Sequence, residues 1–299
     1  MNSNTRMVAP TVAQGLGSTA AYAKRTLLAA ALLATLGLGT GASANIIDLF
    51  TEPADFTTNK VQDITTGGGT CALGTASGNG CFQEYGVGAN IIGGYRDLYV
   101  EVITQGAGAA STAMYAGSGV LSFSNDAATT GKGTVQWDGN DNSATLDTEG
   151  LDGADLINQE GCGAGCNQFV ADVLVADLGF GYSITVWDMD GSSSVLTSGT
   201  QVAVTSSTLA VFPFAWFNLA DGNYVLDGLP FNITHGGNLG PVDFTNIGAL
   251  QLDLNTTGTV AVDLQLASIT KTGVPEPGTL ALAGLALAGL ASLRRRKST

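Results

Sequence analysis

The chain has 299 residues, is 44% hydrophobic and only 12% charged, and carries a formal net charge of −14. Apolar and aromatic residues spread along its length exclude a disordered chain. Its acidic surplus repels nucleic acid and anionic lipid and leaves cations as the natural charged partners.

At the N-terminus, Lys24-Arg25 precede an apolar run over 27–38, and Ala42-Ser43-Ala44 supplies small residues where a signal peptidase needs them. Residues 1–44 therefore read as a signal peptide, cleaved between Ala44 and Asn45. The long basic region ahead of the run leaves Met7 as an alternative start. Setting this segment aside with residues 274–299 leaves a body, 45–273, whose only cations are Lys60, Arg96, Lys132 and Lys271 against 24 carboxylates. A stretch of that length suits one β domain, since such domains run to roughly 250 residues as single units.

From Ile46 onward the body alternates strand and glycine. Residues 61–66 lead into a Gly-rich loop holding Cys71 and Cys81. Residues 91–103 then read as a long strand, with Leu98, Val100 and Val102 on a dry face and Asp97, Tyr99, Glu101 and Ile103 on a mixed one. Strands over 119–124 and 133–137 follow, the second ending in Trp137-Asp-Gly-Asn-Asp-Asn142.

Cys162 and Cys166 form a second local pair of cysteines. Export to an oxidising compartment favours Cys71 with Cys81 and Cys162 with Cys166, out of three pairings available on paper. A four-thiolate zinc site is the alternative, but C-x9-C and C-x3-C fit zinc-ribbon spacing poorly.

Residues 169–178 and 180–189 are expected to form a hairpin through Gly179, and Asp188-Met-Asp-Gly191 turns the chain into 195–205. The aromatic stretch 209–217 contains Pro213, which points to a sheet edge or a bulge. Residues 247–254 and 260–269 both alternate and are expected to pair as a hairpin across Asn255-Thr-Thr-Gly-Thr259. No helical periodicity is long enough to cover a parallel sheet, so the fold class is all-β, an antiparallel sandwich.

Candidate chemistry is sparse. His235 is the only histidine and has no nucleophile motif beside it, so no catalytic residue is assigned. Paired carboxylates could serve a glycosidase, but 24 acids select no pair. No cofactor is expected beyond the option of calcium, for which 138–142, 147–155 and 188–190 offer hard oxygen ligands; β-turns use the same residues. Tyr95, Tyr99, Trp137, Trp187 and Trp216 are the rings available to stack on a glycan, if they are not core residues.

The chain closes on Val274-Pro275-Glu276-Pro277, an uncharged Leu/Ala/Gly run over 280–293, and Arg294-Arg295-Arg296-Lys297. The prolines break the chain from the body. The 14-residue run reaches roughly 21 Å as a helix, short of the ~30 Å hydrocarbon core. It reads as a marginal or transient membrane helix, its four cations a cytoplasmic stop.

This tail resembles the PEP-CTERM sorting signal recognised by exosortases in Gram-negative bacteria. The resemblance implies export, transient anchoring in the inner membrane, cleavage by an exosortase-type enzyme near the Pro-Glu-Pro, and delivery to the cell surface or extracellular matrix. The body is similar to the jelly-roll, galactose-binding-like sandwiches often found ahead of such tails, through Gly93-Gly-Tyr-Arg-Asp-Leu98, Trp137-Asp-Gly139, Gly153-Ala-Asp-Leu156 and 247–269.

The expected function is that of a non-enzymatic exported protein with a structural or adhesive role in the polysaccharide matrix of a biofilm. A lectin-like module binding that polysaccharide and a secreted glycosidase are the alternatives.

Overall fold

Alternating apolar residues become sheet when each strand can bury one face and hydrogen-bond along both edges. The computed structural model describes residues 45–273 except 54, 56, 68–69, 87–89, 109, 159–161, 163–164 and 239. In chain order the strands are β1 (Asn45–Asp48), β2 (Lys60–Asp63), β3 (Cys71–Leu73), β4 (Thr75–Ser77), β5 (Gly80–Gly86), β6 (Tyr95–Thr104), β7 (Thr112–Gly117), β8 (Val120–Asn125) and β9 (Thr130–Trp137). There follow β10 (Gln168–Ala176), β11 (Tyr182–Asp188), β12 (Ser192–Ser198), β13 (Thr208–Pro213), β14 (Gly222–Leu226), β15 (Leu229–Gly237), β16 (Ile247–Leu254) and β17 (Asp263–Thr272). A single helical turn, α1 (Phe214–Phe217), follows β13.

The strands build two sheets. One has eight strands in the order β13-β10-β17-β8-β7-β2-β3, with β1 also pairing β17; the other has nine in the order β14-β15-β12-β11-β16-β9-β6-β5-β4. Every ladder between named strands is antiparallel. The expected all-β antiparallel sandwich is the fold observed. Among the described residues no helix is long and apolar enough to cross a membrane; the expected C-terminal apolar helix lies outside them.

The gap between the sheets is the core. Val61, Leu98, Val100, Met114, Leu121, Val135, Val186, Leu196, Leu250 and Leu264 are all buried. α1 contributes Phe214 and Phe217 to a ring cluster with Phe169 and Phe244, in which Phe214 stacks on Phe244 with centroids 4.2 Å apart. The aromatic stretch after Thr208 is thus an edge strand that stops at Pro213, as the missing N–H of proline requires, and then turns helical.

Two expected hairpins are not hairpins. β10 lies in the eight-stranded sheet and β11 in the nine-stranded one, so the chain around Gly179 crosses the gap instead of folding back on its own sheet. The 255–262 segment does the same between β16 and β17. Each strand turns its apolar face to the common gap, and that alternation is satisfied equally well from either sheet. The pattern therefore states which face is dry and is silent on the neighbour. True hairpins join β7 to β8, β11 to β12 and β14 to β15.

Candidate functional site

β6 places two charges side by side and sends them in opposite directions. Arg96 is on the same side of the strand as Leu98 and Val100 and is fully buried. Its Nη1 donates to both oxygens of Asp48, at 2.8 and 2.6 Å, and its Nη2 to Glu52 Oε2 at 3.2 Å. The guanidinium lies over the rings of Phe50, at 5.3 Å, and Tyr85, at 5.8 Å. Trp137 Nε1 donates to Asp48 Oδ2 at 2.9 Å. Burial pushes the Asp48 carboxyl upward, with Arg96 opposing it. These contacts fasten β1 and the segment after it to the nine-stranded sheet.

Asp97 faces the other way, onto the outer side of that sheet, between Glu84 of β5 and Gln136 of β9, its partners in the ladder. It is 1% exposed, neither of its oxygens accepts from an N–H or a hydroxyl group, and the side chain it hydrogen-bonds is another carboxyl, that of Asp138. The 138–155 loop closes over it. Asp138, also 1% exposed, accepts the Asp147 N–H on Oδ2 at 2.9 Å, while its Oδ1 accepts from no N–H or hydroxyl group. Glu84 Oε2 accepts the N–H groups of Asp141 at 3.1 Å and Asn142 at 2.8 Å, which leaves Oε1 for another partner. Oxygens of Glu84, Asp97 and Asp141 converge within 4.8 Å of one another.

The loop reaches this position because its two ends touch. A Cβ on Gly150 would lie 1.5 Å from the Asp138 carbonyl oxygen, and Gly139 has φ +88°, a conformation that costs glycine nothing. The Leu151 N–H then donates to the Gly248 carbonyl at 2.8 Å and Ala154 bridges Ile247, which anchors the far end on β16.

Electrostatically the pocket is a concentration of like charge. Burial, followed by the charges of Asp138 and Glu84, pushes Asp97 up to about 9. Burial pushes Asp138 up to about 6. The ion pairs of Arg96 and Lys132 go elsewhere, to Asp48 and Glu52 and to Glu101.

Of the three acidic segments singled out for calcium, only 138–142 takes part. Asp188 is spent on turns, accepting the N–H groups of Asp190, Ser192 and Asp243. Asp155 accepts from Ile157 and Asn158, and Asp147 from Glu149. Sequence reasoning missed Glu84 as a member, and it placed Asp97 on a mixed face without seeing that the loop buries it. The available signal was an acid on the solvent side of a strand preceding an Asp-rich loop, which does not reveal where the loop lands.

The remaining candidates fall as follows. Cys71–Cys81 and Cys162–Cys166 are disulfides, as expected; the first ties β3 of one sheet to β5 of the other. Trp137 is 3% exposed and hydrogen-bonded to Asp48, so it is a core residue and not a stacking platform. Tyr95, Tyr99, Trp187 and Trp216 are half-buried. His235 meets an acceptor at each ring nitrogen, Asp221 Oδ1 at 2.7 Å and the Phe217 carbonyl at 2.9 Å. Ala44, Val274 to Pro277 and Arg294 to Lys297 lie outside the described residues, as does the side chain of Asn45.

A family model described as the PEP-CTERM protein-sorting motif matches residues 273–297. The chain therefore carries that motif, which marks an exported protein processed by an exosortase at the membrane. No curated protein matches the chain. Among solved structures it is similar to one titled "Structure of PfGH50B", with 11% identity and a TM-score of 0.32, over 52% of this chain and 20% of that one. The chain spans about a fifth of that structure's length, and a likeness this partial carries no argument.

Proposed function

We propose that this chain is a non-enzymatic protein of the Gram-negative cell surface, whose acidic sandwich serves the extracellular polysaccharide matrix as a structural or adhesive component. The observation that carries the reading is the placement of the sorting motif. β17, a strand hydrogen-bonded to β10, β8 and β1, ends at Thr272, and the motif match begins at residue 273. Cleavage near Pro275 would then free the body with its last strand intact. The disulfides fit an oxidising destination. The occupied ring nitrogens of His235 support a body without acyl-transfer chemistry, because a general base must have a nitrogen free for its nucleophile.

Intact-mass measurement of the protein recovered from the surface of producing cells tests the address. The expected product begins at Asn45 and ends near Val274; a chain still carrying Arg294 to Lys297 would replace sorting with simple anchoring. A deletion strain tests the role: its matrix should lose cohesion while its polysaccharide keeps its chain length. Longer polysaccharide in that strain, or hydrolysis by the purified protein, would instead make it a glycosidase.

A further inference from the structure

We propose that Glu84, Asp97, Asp138 and Asp141 form a calcium site on the outer face of the nine-stranded sheet, roofed by the 138–155 loop. Four carboxylates from two strands and one loop supply the ligands. The second observation, independent of their clustering, is that the innermost one, 1% exposed, meets no N–H or hydroxyl donor and has only the Asp138 carboxyl, itself one of the four, beside it. Both oxygens of Asp97, Oδ1 of Asp138 and Oε1 of Gln136, the residue opposite Asp97 on β9, accept from no N–H or hydroxyl group.

Each of these atoms is an acceptor, so what the pocket lacks is positive. A buried acceptor without a donor is costly, and a buried carboxylate more so, which is why such groups are paired or bound to a metal. Water would satisfy the oxygens but leave the like charges facing one another. A divalent cation does both.

The donor set chooses among cations. Oxygen ligands alone, with no histidine or cysteine, suit hard ions, and carboxylates delivered by an irregular loop suit calcium, which tolerates six to eight ligands in loose geometry, better than magnesium, which demands a regular octahedron. The backbone contacts that Glu84 and Asp138 already make hold their second oxygens in place. Binding would lock the 138–155 loop onto the sheet after export.

The test uses the full chain, purified with its disulfides intact and stripped with EGTA. At a hundredfold excess of calcium over its dissociation constant, the unfolding midpoint should rise by about 5–10 °C, and EGTA should reverse it. Asp97→Asn should abolish both the rise and the calorimetric binding signal. Should that variant fail to fold, Asp141→Ala at the partly exposed edge of the pocket should weaken calcium at least tenfold. Asp227→Asn, an exposed acid in the β14–β15 turn, should keep the full response. An unchanged midpoint in calcium, an equal rise with the same concentration of magnesium, or a calcium response that survives in both Asp97→Asn and Asp141→Ala would overturn the site.

Discussion

Arg96 and Asp97 are consecutive on β6 and almost equally hidden from water, yet their surroundings are opposite. Arg96 enters the gap between the sheets and meets two carboxylates and two aromatic rings, all supplied by this chain. Asp97 enters a pocket on the outer face beside the carboxyls of Glu84, Asp138 and Asp141 and, among the described residues, accepts from no N–H or hydroxyl group. The comparison teaches that burial of a charge has no single meaning. Where the partners are folded in, the charge is a fastener; where they are missing, it marks a place for something the chain does not supply.

The comparison can be broken hardest at Arg96. Arg96→Met leaves Asp48 and Glu52 buried with no counter-charge and should lower stability by about 3–5 kcal/mol, read from the denaturant midpoint under oxidising conditions. Adding Asp48→Asn to that variant should recover part of the loss. A loss below about 1 kcal/mol would mean the pair behaves like a surface ion pair.

The next largest effect concerns a covalent tie near the same strands. Cys71 and Cys81 are 10 residues apart and join the two sheets. Replacing both with alanine should cost about 2.5–3 kcal/mol through the freed loop of the unfolded chain. Combined with Arg96→Met, the losses should add to less than their sum if both secure one edge of the sandwich, and should be independent otherwise.

Lys271 supplies a third buried charge, intermediate between the two. Its Nζ donates to the Asp155 carbonyl at 3.2 Å, and burial lowers it to about 8, against the pull of Asp155. Its folded value lies below the unfolded one, so between about pH 8 and 10 the unfolded chain binds the extra proton at this site and Lys271 contributes a rise in stability with pH, read above about pH 9, where Asp97, raised to about 9, no longer opposes it. The slope is at most about 1.4 kcal/mol per unit. Lys271→Met should flatten it; a slope unchanged in the variant would assign the rise to another group.

The smallest effect has the opposite sign to the first. In metal-free buffer Asp97→Asn should leave the midpoint unchanged or raise it, since an amide keeps the shape and replaces a carboxyl that burial and its acidic neighbours allow to fold only with a proton on it. A drop as large as that of Arg96→Met would show that Asp97 has a partner within the chain, and the contrast between the two neighbours would vanish.

Much of the fold is readable from residue order. The strand over 247–254 agrees residue for residue with β16, the Leu98, Val100 and Val102 face is buried, and Pro213 ends an edge strand. Both disulfides follow from cysteines close enough in sequence to meet without help from the rest of the fold. The candidate site was legible only in its loop half. Asp138 and Asp141 stand in a run of turn-forming acids, whereas Glu84 joins them from a strand 57 residues earlier than Asp141.

The sequence by itself determined the sorting motif, the all-β class, the dry face of each strand and the local cysteine pairs, because each is written in neighbouring residues or in a period of two. Only the tertiary structure decided which sheet each strand joins and which acids converge. Backbone hydrogen bonds are the same for every residue and so carry no address, and the convergence of side chains depends on where a loop lands after the sheets have already closed.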